Sequence, residues 1–230
     1  AALSPSQFLC GQKVGAYWEL DDDGSDALNN FNLTPIGTVI PNTAYKIDPI
    51  PNPDISNPWY GNGDNSEDNP SSINFDSGNN LSLLYSDDAD NFSKFYRNQG
   101  FTVEGWIRPL SEGTIITNKD VDHENIDNDK QGWEIYFDND GRICFFIECM
   151  YSTAIVGIHT EPISSNYMRH FAAVWDPQVG SYGEMRLYLD GNLAASIDGH
   201  PSWDDTGFGS KHVTIGGKYI DSPTNLFQGQ

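Results

Sequence analysis

The sequence contains few cysteines, and they do not form a disulfide framework. There are three, Cys10, Cys144 and Cys149, too few for the paired sets of a disulfide-stabilised scaffold. The odd spacing of Cys144 and Cys149 places their side chains on opposite faces of a straight strand, so a bridge between them would need a bulge or a turn. We therefore expect buried free thiols, because unpaired cysteine is often buried. No Cys/His cluster has the spacing of a zinc site.

Basic residues are also scarce. Twelve Lys+Arg stand against 33 Asp+Glu, which gives a formal net charge of −21. A field of this sign repels nucleic acid and anionic membranes, so we expect no nucleic-acid partner. No apolar run approaches the roughly 18 residues of a membrane helix, so we expect no membrane insertion. The chain starts at Ala1 without an initiator Met or a signal-peptide core, a start that we expect processing or trimming to explain.

Helical periodicity is missing as well, and strand patterns take its place. Aromatic residues make up 13% of the chain, with 22 Gly and 13 Pro, a composition typical of a folded chain. Many short strands joined by tight turns predict an all-β antiparallel sandwich or jelly roll. The predicted strands lie in KVGAYWEL (13–20), SSINFDS (71–77), NLSLLY (80–85), FTVEGWIRP (101–109), GTIITNK (113–119), GWEIYF (132–137), RICFFIE (142–148), STAIVGIH (152–159), MRHFAAVWD (168–176), EMRLYL (184–189), NLAASI (192–197) and VTIGG (213–217).

Two turns and one alternating pattern support the strand prediction. The turn residues Asp138–Gly141 and Asp190–Gly191 each predict a β-hairpin. In FTVEGWIRP the side chains alternate between two faces. One face holds Phe101, Val103 and Ile107, and the other holds Thr102, Glu104, Trp106 and Arg108.

The front of the chain looks different from the rest. From about residue 29 to residue 69 it is rich in Pro, Asn, Gly and Asp, with PNPDISNPW and GNGDNSEDNP as the extremes. These residues favour turns. We therefore predict that 29–69 is a long irregular loop insertion within one domain that spans residues 1–230. A loop of this length in a compact domain is usually functional or poorly ordered.

The order of the predicted strands resembles the laminin-G-like branch of the concanavalin A-like lectin/glucanase jelly rolls. The motifs are an aromatic first strand that ends in acidic residues (AYWELDDDG), then NFDSGNNLSL, FTVEGWIRP, GTIITNK, GWEIYFDNDGRICF, MRHFAAVWD, LYLDGNLAAS and VTIGG. Residues 71–230 follow the family's order, with the first strand as a weaker addition. The resemblance implies a jelly-roll β-sandwich. In the family a further strand follows the last motif, whereas this sequence reads NLFQGQ and stops at Gln230. We expect the final strand to lie beyond the given C-terminus.

The sequence does not favour catalysis. A retaining glycosidase needs two carboxylates about 5–5.5 Å apart, and related glycosidases carry them as E-x-D-x-x-E on one strand. The nearest string runs from Glu134 to Asp138, lacks the middle Asp, and would hold its two carboxylates about 13 Å apart on one strand face. The resemblance gives Glu104 a structural position. We predict that the protein is not an enzyme, with a divergent glycoside hydrolase as an alternative.

The acidic residues raise the hypothesis of a structural calcium ion as a cofactor. Hard cations take oxygen ligands from carboxylates, amides and carbonyls. The resemblance implies ligands at Asp76 and at Asn79 or Asn80. The acidic loop between two predicted strands offers a second set, in which acidic residues alternate with other residues as they do in chelating loops. This set comprises Asp120, Asp122, Glu124, Asp127 and Asp129, of which the four aspartates are the predicted metal ligands. The alternative is a solvated acidic surface.

Aromatic residues in the Pro/Gly/Asn-rich loops are the candidates for ligand binding. Sugar sites combine an aromatic platform with amides and carboxylates on a rim. The candidates are Trp59, Tyr60, Tyr151, Tyr167 and Trp203. The other four tryptophans lie in strand motifs, and we interpret them as core or sheet-face residues. They are Trp18, Trp106, Trp133 and Trp175.

Together these features predict a non-catalytic, lectin-like recognition or adhesion module. Its partner would be a glycan or another cell-surface ligand, and the acidic, thiol-poor surface suits an extracellular, cell-surface or virion-surface location. Domains of the family that it resembles are frequent on phage or virus appendages and on bacterial surface proteins. The alternative is a structural decoration or filament subunit, a homo-oligomer or part of a larger assembly, whose loops and sheet edges bind neighbouring copies.

Overall fold

The structure, a computed structural model, describes residues 16, 18, 20, 32–37, 40–42, 72–75, 81–86, 100–119, 132–148, 155–164, 168–198, 212–218 and 224–229. Every regular element in these residues is a β-strand, and every strand pair is antiparallel. The predicted all-β antiparallel class is therefore confirmed. No helix in the described stretches is long and apolar enough to cross a membrane.

The larger sheet has seven strands. In spatial order they are β1 (Leu33–Gly37), β4 (Leu81–Ser86), β14 (Thr214–Ile215), β7 (Gly113–Thr117), β8 (Gly132–Phe137), β9 (Ile143–Glu148) and β10 (Ile155–His159). The strand β14 lies between β4 and β7, so strands far apart in the sequence pair in this sheet.

The second layer has four strands, and two short ribbons accompany the two layers. The four strands, in order, are β13 (Asn192–Asp198), β12 (Glu184–Leu189), β11 (Arg169–Asp176) and β5 (Phe101–Ile107). One ribbon pairs β15 (Gln228–Gly229) with β6 (Pro109–Ser111), and the other pairs β2 (Ile40–Asn42) with β3 (Ser72–Asn74).

The two predicted hairpins are confirmed. Gly141 N donates to Asp138 O over 3.1 Å and has a φ of 81°, which closes the turn between β8 and β9. Asp190 and Gly191 have φ values of 47° and 77° between β12 and β13. Positive φ at both central residues defines the type I′ turn, whose twist matches that of the flanking strands.

The core lies between the two sheets. Trp175 of β11, Met185 of β12 and Phe145 of β9 belong to one core cluster, and all three are almost fully buried. Phe101 of β5 joins the layers, since its ring centroid lies 5.8 Å from that of Trp133 and 6.2 Å from that of Phe145. Burial of such large side chains is the main stabilising contribution of a sandwich.

Two short strands, β1 and β2, lie within the range 29–69. Most of this range lies outside the described residues, so the predicted insertion stays a prediction. Each of these strands contains a proline, Pro35 or Pro41, which removes a hydrogen-bond donor. Proline is tolerated where a strand lies at a sheet edge, and β1 is the edge strand of the larger sheet. Leu33, which is buried, contributes to the core.

The segment Thr224–Gly229 packs onto the sandwich. Phe75 and Gly229 exchange two backbone hydrogen bonds of 2.8 and 3.0 Å, and the ring of Phe227 meets that of Phe75 edge to face. Gly113, at a φ of 153°, lies so close to this segment that a Cβ would come within 2.6 Å of Phe227 Cα. The last described residues are thus paired within the fold. The expected final strand beyond Gln230 stays a prediction.

Cys144 is a free thiol and is buried, as predicted for that residue. Cys10 and Cys149 lie outside the described residues. Of the four tryptophans interpreted as core or sheet-face residues, Trp133 and Trp175 are buried and Trp18 packs against the core. Trp106 lies on an outer sheet face.

Candidate functional site

The predicted loop aromatics and the predicted calcium ligands all lie outside the described residues. The aromatics are Trp59, Tyr60, Tyr151, Tyr167 and Trp203. The metal candidates are Asp76, Asn79, Asn80, Asp120, Asp122, Asp127 and Asp129. Within the part of the chain that the structure does describe, no three His, Cys, Asp or Glu side chains are arranged to hold a metal ion.

An exposed tryptophan marks the outer face of the four-stranded sheet. Trp106 of β5 is 53% exposed because it alternates with Ile107, which points into the core. On β11 its register partner is His170, and the two ring centroids lie 5.1 Å apart at an interplanar angle of 61°. We call Trp106 and His170 the Trp106 platform. A large exposed indole held by a neighbouring ring is a common feature of ligand surfaces.

The outer face continues from the platform across the sheet. Glu104 lies opposite Ala172, which in turn lies opposite Tyr188, and Tyr188 lies opposite Leu193 of β13. Cross-strand partners share a face, so an acidic, a small, an aromatic and an aliphatic side chain form one row. Leu193 is 56% exposed, and the row therefore ends in an accessible apolar group.

A cleft of about 320 Å³ opens where this row ends. It lies between the turn of the β12–β13 hairpin and the residues that follow β10. The lining residues are Thr160, Glu161, Arg169, Leu189, Asp190, Asn192, Leu193 and Ala194. We call this the hairpin cleft. Its volume is at the lower end of the range for small-ligand pockets, and Leu193 belongs to both the cleft and the outer face.

An ion pair fixes the position of the hairpin turn. The Asp190 carboxylate pairs with the Arg169 guanidinium and accepts a hydrogen bond of 3.0 Å from His170 N. Asp190 N donates in turn to His170 O over 2.8 Å. Asp190 is only 7% exposed, so its charge depends on these partners. The cleft and the Trp106 platform are therefore held together through His170.

Glu134, the carboxylate nearest to a catalytic motif, lies on the outer face of the seven-stranded sheet. Its Oε1 accepts a hydrogen bond of 2.9 Å from Thr114 Oγ1, and its Oε2 lies 2.6 Å from Lys218 Nζ. Glu134 is 6% exposed. Both oxygens are therefore engaged by neighbouring side chains in a buried position.

A second titratable group lies at the β8–β9 turn. Asp138 accepts hydrogen bonds from Arg142 N (2.9 Å) and Arg142 Nε (2.8 Å). Burial alone would raise the pKa of Asp138, but the bonds from Arg142 outweigh it and hold that pKa below its ordinary value. Burial raises the pKa of the neighbouring Cys144 thiol to about 12. The thiol is therefore a poor nucleophile and a poor metal ligand.

The sequence contained a signal for Trp106 that its interpretation as a core or sheet-face residue did not use. The apolar face of FTVEGWIRP contains Phe101, Val103 and Ile107, and the alternation places Trp106 on the opposite face. An aromatic residue on the polar face of an alternating strand has no core to enter. The hairpin cleft had no such signal, because Glu161 and Asp190 are distant in sequence.

Comparisons with known proteins place this fold. Residues 77–230 match a laminin-G-type profile of the Concanavalin A-like lectin/glucanases superfamily, whereas a search of curated protein sequences finds no match. Similar solved structures include the CBM40 of the Ruminococcus gnavus IT-sialidase bound to alpha2,3 sialyllactose, with a TM-score of 0.47 and 15% identity over 58% of this chain and 72% of that chain. The binding domain of Botulinum Neurotoxin DC in complex with SialylT has a TM-score of 0.52 and 16% identity over 89% of this chain and 43% of that chain. Domains LG4-5 of the mouse laminin alpha1 chain have a TM-score of 0.40 and 14% identity over 60% of this chain and 34% of that chain.

At 16% identity, the match to the toxin binding domain shows a likeness of fold alone. The profile match is the broader finding, because it covers more than half of the sequence and includes the strands of both sheets from β4 onward. The chain belongs to the concanavalin A-like lectin/glucanases superfamily.

Proposed function

We propose that the protein is a non-catalytic glycan-binding module that acts through the Trp106 platform and the hairpin cleft. The observation that carries the proposal is the exposed Trp106 indole, held against His170 on an open sheet face. A sugar ring has an apolar C–H face that packs on an indole, and its hydroxyl groups need polar partners beside that ring. Glu104 on the same face and the polar groups of the cleft supply such partners.

The family name covers sugar-binding and sugar-cleaving proteins. The availability of a pair of carboxylates for catalysis distinguishes the two functions. Cleavage needs a pair of carboxyl groups that face a substrate. Glu134 is buried and bound by Lys218 and Thr114, and Asp138 is bound by Arg142. These engagements support binding without catalysis. Incubation with a panel of polysaccharides should release no reducing sugar, and release that Glu134→Gln abolishes would overturn this part of the proposal.

A glycan array with two matched variants tests the proposed site. Trp106→Ala removes the platform. Leu110→Ala removes a side chain of similar exposure, 55%, from β6, the next strand along the chain. We expect Trp106→Ala to weaken glycan binding at least about tenfold, as loss of an aromatic anchor does, and Leu110→Ala to leave it unchanged. Both residues are exposed, so both variants should keep the wild-type melting temperature. An array on which the wild-type chain binds no glycan would refute the function.

The edge strand β13 favours a second candidate function, a structural subunit that binds neighbouring copies. Within the described residues β13 pairs only with β12, and it exposes Leu193 and Ile197. Edge strands of this kind pair readily with other chains. If light scattering shows a concentration-dependent assembly that Ile197→Lys disrupts, and the array stays blank, the structural function would replace the lectin function.

We also propose a structural calcium ion and an extracellular, cell-surface or virion-surface location. The acidic composition supports both, and the candidate ligands are the acidic and amide residues predicted from the sequence. A ligand of the folded state raises the melting temperature. We expect Ca²⁺ to raise the melting temperature and EDTA to reverse the effect. An unchanged melting temperature would refute the proposed calcium site.

Immunolabelling of intact cells or particles would test the location.

A further inference from the structure

We infer that the hairpin cleft takes an uncharged sugar residue and discriminates against acidic glycans. The inference rests on the proposed glycan-binding function and names its ligand class. It follows from the charges inside the cleft, which already compensate one another or are negative. The ligand chemistry expected here is a neutral hexose or N-acetylhexosamine unit.

The basic side chain that lines the cleft is already paired. The guanidinium of Arg169 forms an ion pair with the buried carboxylate of Asp190. An acidic sugar would have to draw Arg169 away, which would leave Asp190 buried without its counter-charge. Removing one partner from a buried pair is strongly unfavourable. Arg169 therefore contributes hydrogen-bond donors to a ligand but no net positive charge.

The remaining charge in the cleft is negative. Glu161 lines the cleft and is exposed, so the cleft as a whole carries one carboxylate in excess over guanidinium. The formal net charge of the whole chain is −21, which adds repulsion toward any anionic ligand. Other described basic side chains are also paired with carboxylates, namely Lys119, Arg142, Arg186 and Lys218.

A neutral sugar suits the same groups. Its hydroxyl groups can donate to carboxylate oxygens, which only accept hydrogen bonds, and can also accept from an amide. Asn192, which is exposed, donates to Asp190 O over 3.2 Å and retains further polar capacity at the rim. The exposed side chain of Leu193 offers an apolar surface for the C–H face of the ring. A neutral sugar can use these groups without disturbing the ion pair.

Paired glycans test the ligand class. The wild-type chain is titrated with neutral oligosaccharides and with the same oligosaccharides carrying a terminal sialic acid or a sulfate. We expect each neutral glycan that binds to do so at least about tenfold more tightly than its acidic counterpart. Equal or tighter binding of the acidic form would overturn the inference and leave the lectin function intact. Absence of binding to any glycan would overturn both.

Two charge-neutralising variants test whether the cleft itself discriminates. Glu161→Gln removes a negative charge from the cleft, and Asp198→Asn removes one from the far end of β13, about 20 Å from Asn192 along the strand. We expect Glu161→Gln to reduce the ratio of affinities for neutral and acidic glycans about threefold or more, which is the effect of a charge a few Å away in water. Asp198→Asn should leave the gap unchanged at 0.15 M salt. Equal effects of the two variants would assign the selectivity to the net charge and overturn the role of the cleft.

Discussion

The ion pair between Lys218 and Glu134 gives a quantitative test of the structure. Lys218→Met keeps most of the aliphatic stem and removes the charge. The side chains of Lys218 and Glu134 are 14% and 8% exposed, so solvent screens the pair weakly. After the substitution the Glu134 carboxylate would keep one hydrogen bond, from Thr114 Oγ1. It would otherwise be a buried charge without a counter-charge.

The magnitude follows from this environment. Removing one partner of a buried ion pair costs about 3–5 kcal/mol. The remaining bond from Thr114 places Lys218→Met near the lower end, at about 3 kcal/mol. Glu134→Gln should cost about 2 kcal/mol, because Lys218 can extend its ammonium toward water. The double variant leaves no unpaired charge, so we expect it to be about 2–3 kcal/mol more stable than the sum of the single effects predicts.

Urea unfolding of the four proteins at pH 7, followed by tryptophan fluorescence, measures this coupling. Asp140→Asn is the matched control, because it removes one carboxylate from an exposed ion pair. The Asp140 side chain is 63% exposed, and its partner Arg142 keeps a second ion pair with Asp138. We expect the control to change the free energy of unfolding by less than about 0.5 kcal/mol. A coupling below about 0.5 kcal/mol between Lys218 and Glu134 would refute the assignment of a buried structural pair, and with it the reason given for excluding Glu134 from catalysis.

Three further measurements test other parts of the structure. Gly183→Ala should destabilise the fold by about 3–5 kcal/mol in urea, because φ is 85° and a Cβ would come within 2.6 Å of Trp175 Cζ2 in the core; a cost below about 1 kcal/mol would contradict that packing. With a pKa near 12, Cys144 should react with a thiol reagent at pH 8 about a thousandfold more slowly in the native state than after unfolding, in a variant whose other two cysteines are serine; equal rates would contradict its burial. The lowered pKa of Asp138 stabilises the fold at pH values above the ordinary aspartate pKa, and this stabilisation is lost as the pH falls through the folded-state pKa. Arg142→Met should raise the pKa of Asp138 in a carboxyl NMR titration. An unchanged pKa would show that the hydrogen bonds from Arg142 do not cause the lowering.

Local patterns predicted the parts of the fold that depend on local chemistry. The alternation in β5 and the turn residues of both hairpins are short-range features, because a strand exposes every second side chain and a type I′ turn needs positive φ. Asp190 and Gly191 meet this requirement at both central positions, whereas the Asp138–Gly141 turn has positive φ only at its last residue, Gly141. The structure therefore agrees with the sequence there without reference to distant residues.

The parts that the sequence did not reveal depend on distant contacts. Prolines 35 and 41 make β1 and β2 look like loop, and only a position at a sheet edge makes them acceptable. The pairing of Lys218 with Glu134 brings together residues far apart in the chain, as does the cleft lined by Glu161 and Asp190. The alternation in β5 predicts the face on which Trp106 lies, but the function of Trp106 depends on the residues that surround it on that face.

The position of β14 has a consequence for how the chain must fold during synthesis. β4 is complete at Ser86, yet its neighbour in the sheet, Thr214, is made roughly 130 residues later. At about 5–20 residues per second, the ribosome needs roughly 6–26 s to supply it. During that interval an apolar strand edge lacks its native partner, a situation that promotes association between nascent chains. The strong negative charge of the chain would keep neighbouring nascent chains apart over this interval.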